Sequence, residues 1–357
     1  MKATLSLILC FVLGLAFAQD AEPVKEGHDP ESLIKEGIRL HDAGEYDKAI
    51  EKYLAAISLD PKNATAYYEA AFSYSSKRDH ENSLKMAEKA IEFGNSDTRR
   101  LAIVSKGSTL DEMGRRKESA EFYEKGLKEF PDFYLLWFNY GVTLAALKRF
   151  DDAENAYIKG LNIRISHPGS NLQLGNLNKM LNRKASAALC YYFFLLLENN
   201  SNRSKDAANS LLELMYPKTD STQNVFTINI GATAIDAKNP MAPAELFLGL
   251  MSVDRDKSKS NQQRFVEDTD KFLGMLSELK ENQAKAASSK KKKKKNDSEP
   301  NFYFDTYVPF FSDLRAADHL ETFCYHIMKS TGDPEVTKWL ADNKDKVDRF
   351  YTWLKTR

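Results

Sequence analysis

The sequence predicts an all-α protein: a solenoid of stacked helical hairpins, followed by a further helical region that caps the solenoid or packs on it. Three observations carry this reading. Small residues recur at Gly37, Ala71, Gly107, Gly141 and Gly175, spaced by 34, 36, 34 and 34 residues. A second small set, Ala49, Ser83, Ser119, Ala153 and Ala187, stands twelve residues after the first. Only 16 glycines and 11 prolines occur in 357 residues, with 29% of positions charged, which excludes a collagen-like or wholly disordered chain and favours helix.

The period has a physical basis. Two antiparallel helices approach closely only where small residues meet, so the small residue of the first helix is expected to face that of the second. Tyr53, Ala87, Tyr123, Tyr157 and Tyr191 come one turn later and are expected to fill the wedge between neighbouring pairs. Pro61 and Pro131 close the first and third units, because proline lacks an N–H and disfavours helix in the residue before it. A helix pair of this kind cannot bury its apolar face alone and stacks on the next.

The clearest unit reads Leu33-x-x-x-Gly37-x-x-Leu40, then Gly44-x-Tyr46-x-x-Ala49, Tyr53, Ala56 and Pro61. The fourth reads Trp137, Tyr140-Gly141, Leu144, Phe150, Ala153, Tyr157 and Gly160. This pattern resembles the tetratricopeptide repeat family over residues 30–200, in about five units. Unit two lacks the closing proline and has Ala87 at the aromatic position. Unit three carries a two-residue insertion near 95–100, and unit five keeps little beyond Gly175, Ala187 and Tyr191.

The resemblance implies a right-handed superhelix whose concave groove is lined by the first helix of each pair, and a protein-binding rather than catalytic role. Carried over position by position, the groove takes Ile34, Ile38 and His41, then Tyr68, Phe72 and Ser75, then Val104, Ser108 and Asp111. Unit four adds Leu135, Phe138 and Val142, and unit five Leu172, Asn176 and Lys179. The candidate partner-binding residues are Ile34, Ile38, Tyr68, Phe72, Val104, Leu135, Phe138 and Val142, a mostly apolar and aromatic set. The carboxylate-clamp subset of the family needs Lys and Asn where Ile34 and Ile38 stand, so capture of a C-terminal carboxylate is not expected. Bare apolar surface of this extent calls for an occupant: an apolar partner segment or the chain's own second half.

The second half, 201–287 and 301–357, reads as helical. Ala185 to Leu197 is almost continuously apolar and should be buried on most sides. Residues 204–216 form the next helix, and Val225–Ile230 a short strand or, more readily, a helix. Leu246, Leu250 and Val253 mark one further helix and Phe265, Phe272, Leu276 and Leu279 another. A linker over 288–300 holds Lys290, Lys291, Lys292, Lys293, Lys294 and Lys295, either a contact for an anionic surface or a solvated spacer. The aromatic cluster from Phe302 to Phe311 is core or a docking strip. A helix starts at Ser312-Asp313, carries Leu314, Ala317, Leu320, Phe323 and Ile327 on one face and ends at Gly332. Asp333-Pro334 begins another, and Val347, Phe350, Tyr351 and Leu354 mark the last.

Residues 1–18 have the form of a signal peptide, with Lys2, an apolar run from Leu5 to Leu15 and a small-x-small ending at Ala16-Phe17-Ala18. Residues 19–29 are a linker. Export to the periplasm or beyond the cell, most readily in a bacterial envelope, is the expected address, and no second stretch suits a membrane span. Lys plus Arg equals Asp plus Glu at 51 each, which argues against a chain-wide nucleic-acid binder. After the leader, Cys190 and Cys324 remain, as one disulfide or as two buried thiols. Asn63, Asn199, Asn202 and Asn296 sit in glycosylation sequons that matter only in a eukaryotic host.

No phosphate loop, nucleophile elbow or paired Cys-x-x-Cys occurs, and His319, Cys324 and His326 lack the spacing of helical metal ligands. No cofactor and no catalytic residue is expected. The function read from the sequence is that of an exported scaffold binding a protein partner. The alternatives are an envelope glycan binder, for which Trp137, Trp339 and Trp353 are few, and an unrecognised enzyme domain in the second half.

Overall fold

A computed structural model describes residues 29–216, 239–251, 258–289 and 301–357. The leader at 1–18, the Val225–Ile230 segment and the lysine run at 290–295 lie outside the described residues. Contacts divide the chain after Ile165, so that one compact unit ends there and a second runs from Ser166 to Arg357.

The first unit holds four helical pairs. They are α1 (Pro30–Asp42) with α2 (Tyr46–Leu59), α3 (Ala64–Ser76) with α4 (His80–Phe93), α5 (Ser96–Glu112) with α6 (Arg116–Glu129), and α7 (Tyr134–Ala146) with α8 (Phe150–Ile163). Their starts are written in the sequence. Asp29 accepts from the N–H groups of Glu31 and Ser32, Asn63 from Ala66, Asp79 from Asn82 and Asn95 from Asp97 and Thr98, each satisfying free donors of a first turn. The two-residue insertion in unit three is taken up in α5, which is longer than the other first helices.

The turn inside each pair recurs in register. Gly44, Arg78, Gly114 and Lys148 all have φ between 62° and 78°, and each lies seven residues after the small residue of its first helix. That left-handed position closes the helix by capping its last carbonyls.

The close approach sets small residue against small residue and adds a tyrosine ring laid on the first-helix glycine. A Cβ on Gly37 would stand 2.5 Å from Tyr53 Cε1, and one on Gly141 2.6 Å from Tyr157 Cε1. The tyrosine therefore seals its own hairpin, and Tyr53 also joins the core cluster with Ala66 and Ala70 of the next one. The second small set also serves this contact, since the Ser83 hydroxyl donates to the Ala71 carbonyl (2.9 Å) and the Ser119 hydroxyl to that of Gly107 (2.8 Å).

The second unit begins with α9 (Pro168–Met180) and α10 (Lys184–Leu197), the fifth pair. Around α10 gather α11 (Asn202–Met215), α12 (Ala242–Met251), α13 (Asn261–Ser289), a π-helical turn at Tyr303–Tyr307, α14 (Val308–Ala316) and α15 (Leu320–Ile327). Two short helices, α16 (Pro334–Asp342) and α17 (Lys344–Leu354), close the chain. Every residue from Ala185 to Leu195 is buried, which is why this stretch shows no polar face. Tyr192 is at the centre, its ring against Phe265, Phe311 and Phe323 and its hydroxyl 2.9 Å from Thr269 Oγ1. The buried Glu245 on α12 accepts the Ala185 N–H at 2.9 Å, capping α10 from another helix.

One sequence expectation changes here. The helix placed from Ser312 to Gly332 is broken: Asp318 takes φ 56°, its neighbour's His319 N–H returns to Leu314 O (3.1 Å), and α15 starts afresh at Leu320. Aspartate tolerates this conformation better than most residues, and the apolar spacing hid the stop. Helix α13 runs to Ser289, and the rest of the linker expected over 288–300 lies outside the described residues. The aromatic cluster is core, with Tyr303, Phe304, Tyr307 and Phe311 buried. Cys190 and Cys324 are separate buried thiols, and burial raises the Cys324 pKa.

Candidate functional site

In the first unit α1, α3, α5 and α7 pack side by side and present one face made of the first helix of each pair. Ile38 and Phe72 are 36% and 47% exposed on it. Tyr68, Val104, Leu135, Phe138 and Val142 are half-buried, and Ile34 is buried in the core cluster with Tyr53 and Ala66. The phenyl ring of Phe72 stacks on His41 of the preceding repeat at 4.6 Å and 22°. His41 Nδ1 is 2.7 Å from Ser73 Oγ.

The face is less uniformly apolar than the sequence implied. Glu69, the single charged residue of α3, stands one turn before Phe72 and is half-buried. Burial, then the like charge of Asp42, push its carboxyl up to about 7. Asp111 is likewise raised by burial, with Arg116 3.5 Å away. Glu112 accepts from Ser75 at 3.0 Å. The sequence signal for Glu69 is a lone acid inside an otherwise uncharged helix, but its setting comes from Asp42 and Tyr53 in the previous repeat.

The fifth pair is different. The Tyr307 hydroxyl donates to Asn171 Oδ1 (2.7 Å), Asn178 Nδ2 donates to the Tyr303 hydroxyl (2.8 Å), and Lys179 pairs with Glu213 on α11. Asn176 Oδ1 accepts the Tyr191 hydroxyl (2.8 Å). Asn176 and Lys179, two of the groove positions assigned to this unit, are thus engaged by the second unit's own residues.

The second unit has an open cleft of ≈ 680 Å³ lined by His319, Asp318, Glu321, Lys346, Arg349 and Trp353 among others. Lys346 pairs with Glu321, and His319 lies against the rings of Phe350 and Trp353. Among the described residues no group of three His, Cys, Asp or Glu side chains is placed to hold a metal. None of the three tryptophans is an open platform: Trp137 Nε1 donates to Pro131 O, Trp339 stacks on Tyr325, and Trp353 packs on Phe310. No helix among the described residues is long and apolar enough to cross a membrane.

Comparison with known proteins fits this architecture. A family described as TPR repeat matches residues 37–77, and two described as tetratricopeptide repeat match 64–93 and 104–164. Similar solved structures include YrrB, described as a TPR protein with an unusual peptide-binding site, at 19% identity and TM-score 0.37, covering 51% of this chain and 93% of that one. PilF of Pseudomonas aeruginosa is similar at 18% identity and TM-score 0.42, covering 53% and 93%. PilW, described as a type IV pilus biogenesis factor, is similar at 18% and 0.42, covering 51% and 86%.

Proposed function

Starting from a chain that is a tetratricopeptide-repeat protein, with repeats matched across residues 37–164, we propose that it is an exported, non-catalytic scaffold that holds a protein segment on the face formed by α1, α3, α5 and α7. One observation carries the reading: the exposed Ile38 and Phe72 continue into the half-buried Leu135, Phe138 and Val142 along the first helices of successive repeats. Apolar side chains left on a surface in a row favour an apolar partner, and the rigid hairpins beneath hold them without further ordering cost. The leader-like residues 1–18 support export to the periplasm or the exterior.

In-cell crosslinking with mass spectrometry, run on the native chain and on a Phe72→Ser, Phe138→Ser, Val142→Ser variant, tests the reading. The expected result is a defined partner linked near α3 and α7 and lost in the variant, with far-UV circular dichroism unchanged. A partner held equally by both proteins overturns it. Fractionation of cells and the mass of the N-terminus test export, and retention of residues 1–18 in the cytoplasm would remove that part.

A further inference from the structure

The cleft of the second unit has two walls, α17 on one side and the α14–α15 corner on the other. Ion pairs tie these walls at both ends. Lys346 of α17 meets Glu321 of α15 at 2.8 Å, and Arg357, just past α17, meets Asp313 of α14 at 2.8 Å. Between these rungs, in the same order along both walls, come Arg349 and Asp318, and both line the cleft. They are not paired. Neither side chain forms an ion pair or a hydrogen bond among the described residues. The ladder of charges is thus interrupted where the cleft opens.

The floor at this gap is polar in a particular way. Thr322 is 3% exposed and lines the cleft, yet its hydroxyl has no hydrogen-bond partner among the described residues. A helical threonine often donates to the carbonyl four residues back, as Thr352 does to Asp348 O at 2.8 Å. Thr322 does not, and its hydroxyl stays ready for a polar group in the cleft. Beside it the His319 ring lies 5.8 Å from that of Phe350 and 5.3 Å from that of Trp353, which makes an apolar shelf. Burial holds the His319 imidazole below the usual range, so this shelf brings no charge at pH 7.

The volume of ≈ 680 Å³ falls within the range of small-molecule sites, about 300–1,000 Å³. An anion would satisfy Arg349 and be repelled by Asp318, and a cation would do the reverse. A zwitterion satisfies both. Asp348, another acid of the cleft, stands beside Arg349 on the α17 wall, so Asp318 is the acid that a bridging ligand meets on the opposite wall.

We propose that this cleft binds a free α-amino acid with an apolar side chain. Arg349 holds its carboxylate, Asp318 accepts from its ammonium, and the Thr322 hydroxyl donates to the carboxylate. The apolar side chain lies along His319 and Trp353. The site belongs to the second unit and does not depend on the partner face proposed above.

Isothermal titration calorimetry of the purified full chain with L-phenylalanine and L-leucine tests the proposal. Glycine, N-acetyl-L-phenylalanine and L-phenylalaninamide each remove one feature: the apolar body, the ammonium or the carboxylate. At least one of the two amino acids should bind, and the two blocked analogues should bind about tenfold more weakly than L-phenylalanine, the worth of one charge-assisted bond. Glycine should bind more weakly than either amino acid. R349Q should weaken amino-acid binding about tenfold. D318N should do the same, and asparagine keeps the left-handed turn at φ 56°. T322V should cause a smaller loss. Near-UV circular dichroism checks that each variant keeps the native packing. No binding of either amino acid, equal binding of the blocked analogues, or undiminished binding in R349Q or D318N overturns the proposal.

Discussion

The ring of Tyr123 covers Gly107 so closely that a Cβ on the glycine would stand 2.3 Å from the ring's Cζ. Repeat two has Ala71 and Ala87 at the corresponding positions, both fully buried. The two departures compensate: the extra methyl on one helix goes with the missing ring on the other. Gly107→Ala alone should destabilise by about 2 kcal/mol through overpacking. Tyr123→Ala alone should cost about 3–5 kcal/mol. On the Tyr123→Ala background, Gly107→Ala should instead stabilise by about 0.5–1 kcal/mol, because alanine is the better helix former. Urea unfolding of the four proteins measures the cycle, and simple additivity would remove the steric account.

The left-handed turn position gives a second prediction. Arg78 and Lys148 hold φ of 62° with side chains that disfavour it, whereas Gly44 and Gly114 hold 77° and 78° at no such cost. Arg78→Gly and Lys148→Gly should each stabilise by about 0.5–1 kcal/mol, and Gly44→Ala should destabilise by a similar amount. Thermal melts decide it; a loss of stability in Arg78→Gly would mean that its side-chain contacts outweigh the backbone strain.

What was legible in the sequence follows from range. The small residues at 37, 71, 107, 141 and 175 are demanded by helix–helix distance inside a hairpin, so they appear as a period. The tyrosine's seat on the glycine was not legible, because spacing alone does not say that Tyr53 reaches back to Gly37 as well as forward to Ala66. The stop at Asp318 is a single backbone dihedral beneath an unbroken apolar pattern. Glu69 escaped because its meaning lies in Asp42 and Tyr53, residues of another helix pair. The engagement of Asn171 and Asn178 by Tyr307 and Tyr303 spans more than a hundred residues, and no local pattern reports it.

Glu69 makes the first unit pH-sensitive in a defined direction. Its folded pKa of about 7 lies above the ordinary 4.5, so the folded state binds the proton more tightly than the unfolded chain. Stability from this group is full below pH 4.5 and is lost as pH rises through 7. Allowing for its half-buried setting, the loss should be about 2 kcal/mol. Glu69→Gln should flatten this stretch of the stability curve and leave the protein more stable than the native chain at pH 8. An unchanged slope between pH 5 and 8 in that variant would refute it.

His326 works in the opposite sense in the second unit. Its imidazole is 6% exposed, lies edge-on to Phe350 at 5.5 Å, and has Tyr351 Oη 3.2 Å from Nδ1, while Asn199 Nδ2 donates to its backbone carbonyl at 3.0 Å. Burial depresses its pKa from 6.5 to about 4. The unfolded chain therefore takes up a proton that the folded one refuses. Stability is full above pH 6.5 and is lost as pH falls toward 4, by about 3 kcal/mol in all. His326→Phe keeps the aromatic packing and the backbone contact of Asn199 but cannot titrate. It should cost about 1–3 kcal/mol at pH 7 through the lost contacts of the ring with Tyr351 and with Asn199 Nδ2, which lies 2.9 Å from Nε2, and it should lose less stability than the native chain between pH 7 and 4. Denaturant midpoints followed by near-UV circular dichroism from pH 8 to 4 distinguish the two curves. If they run parallel, another group governs the acid limb.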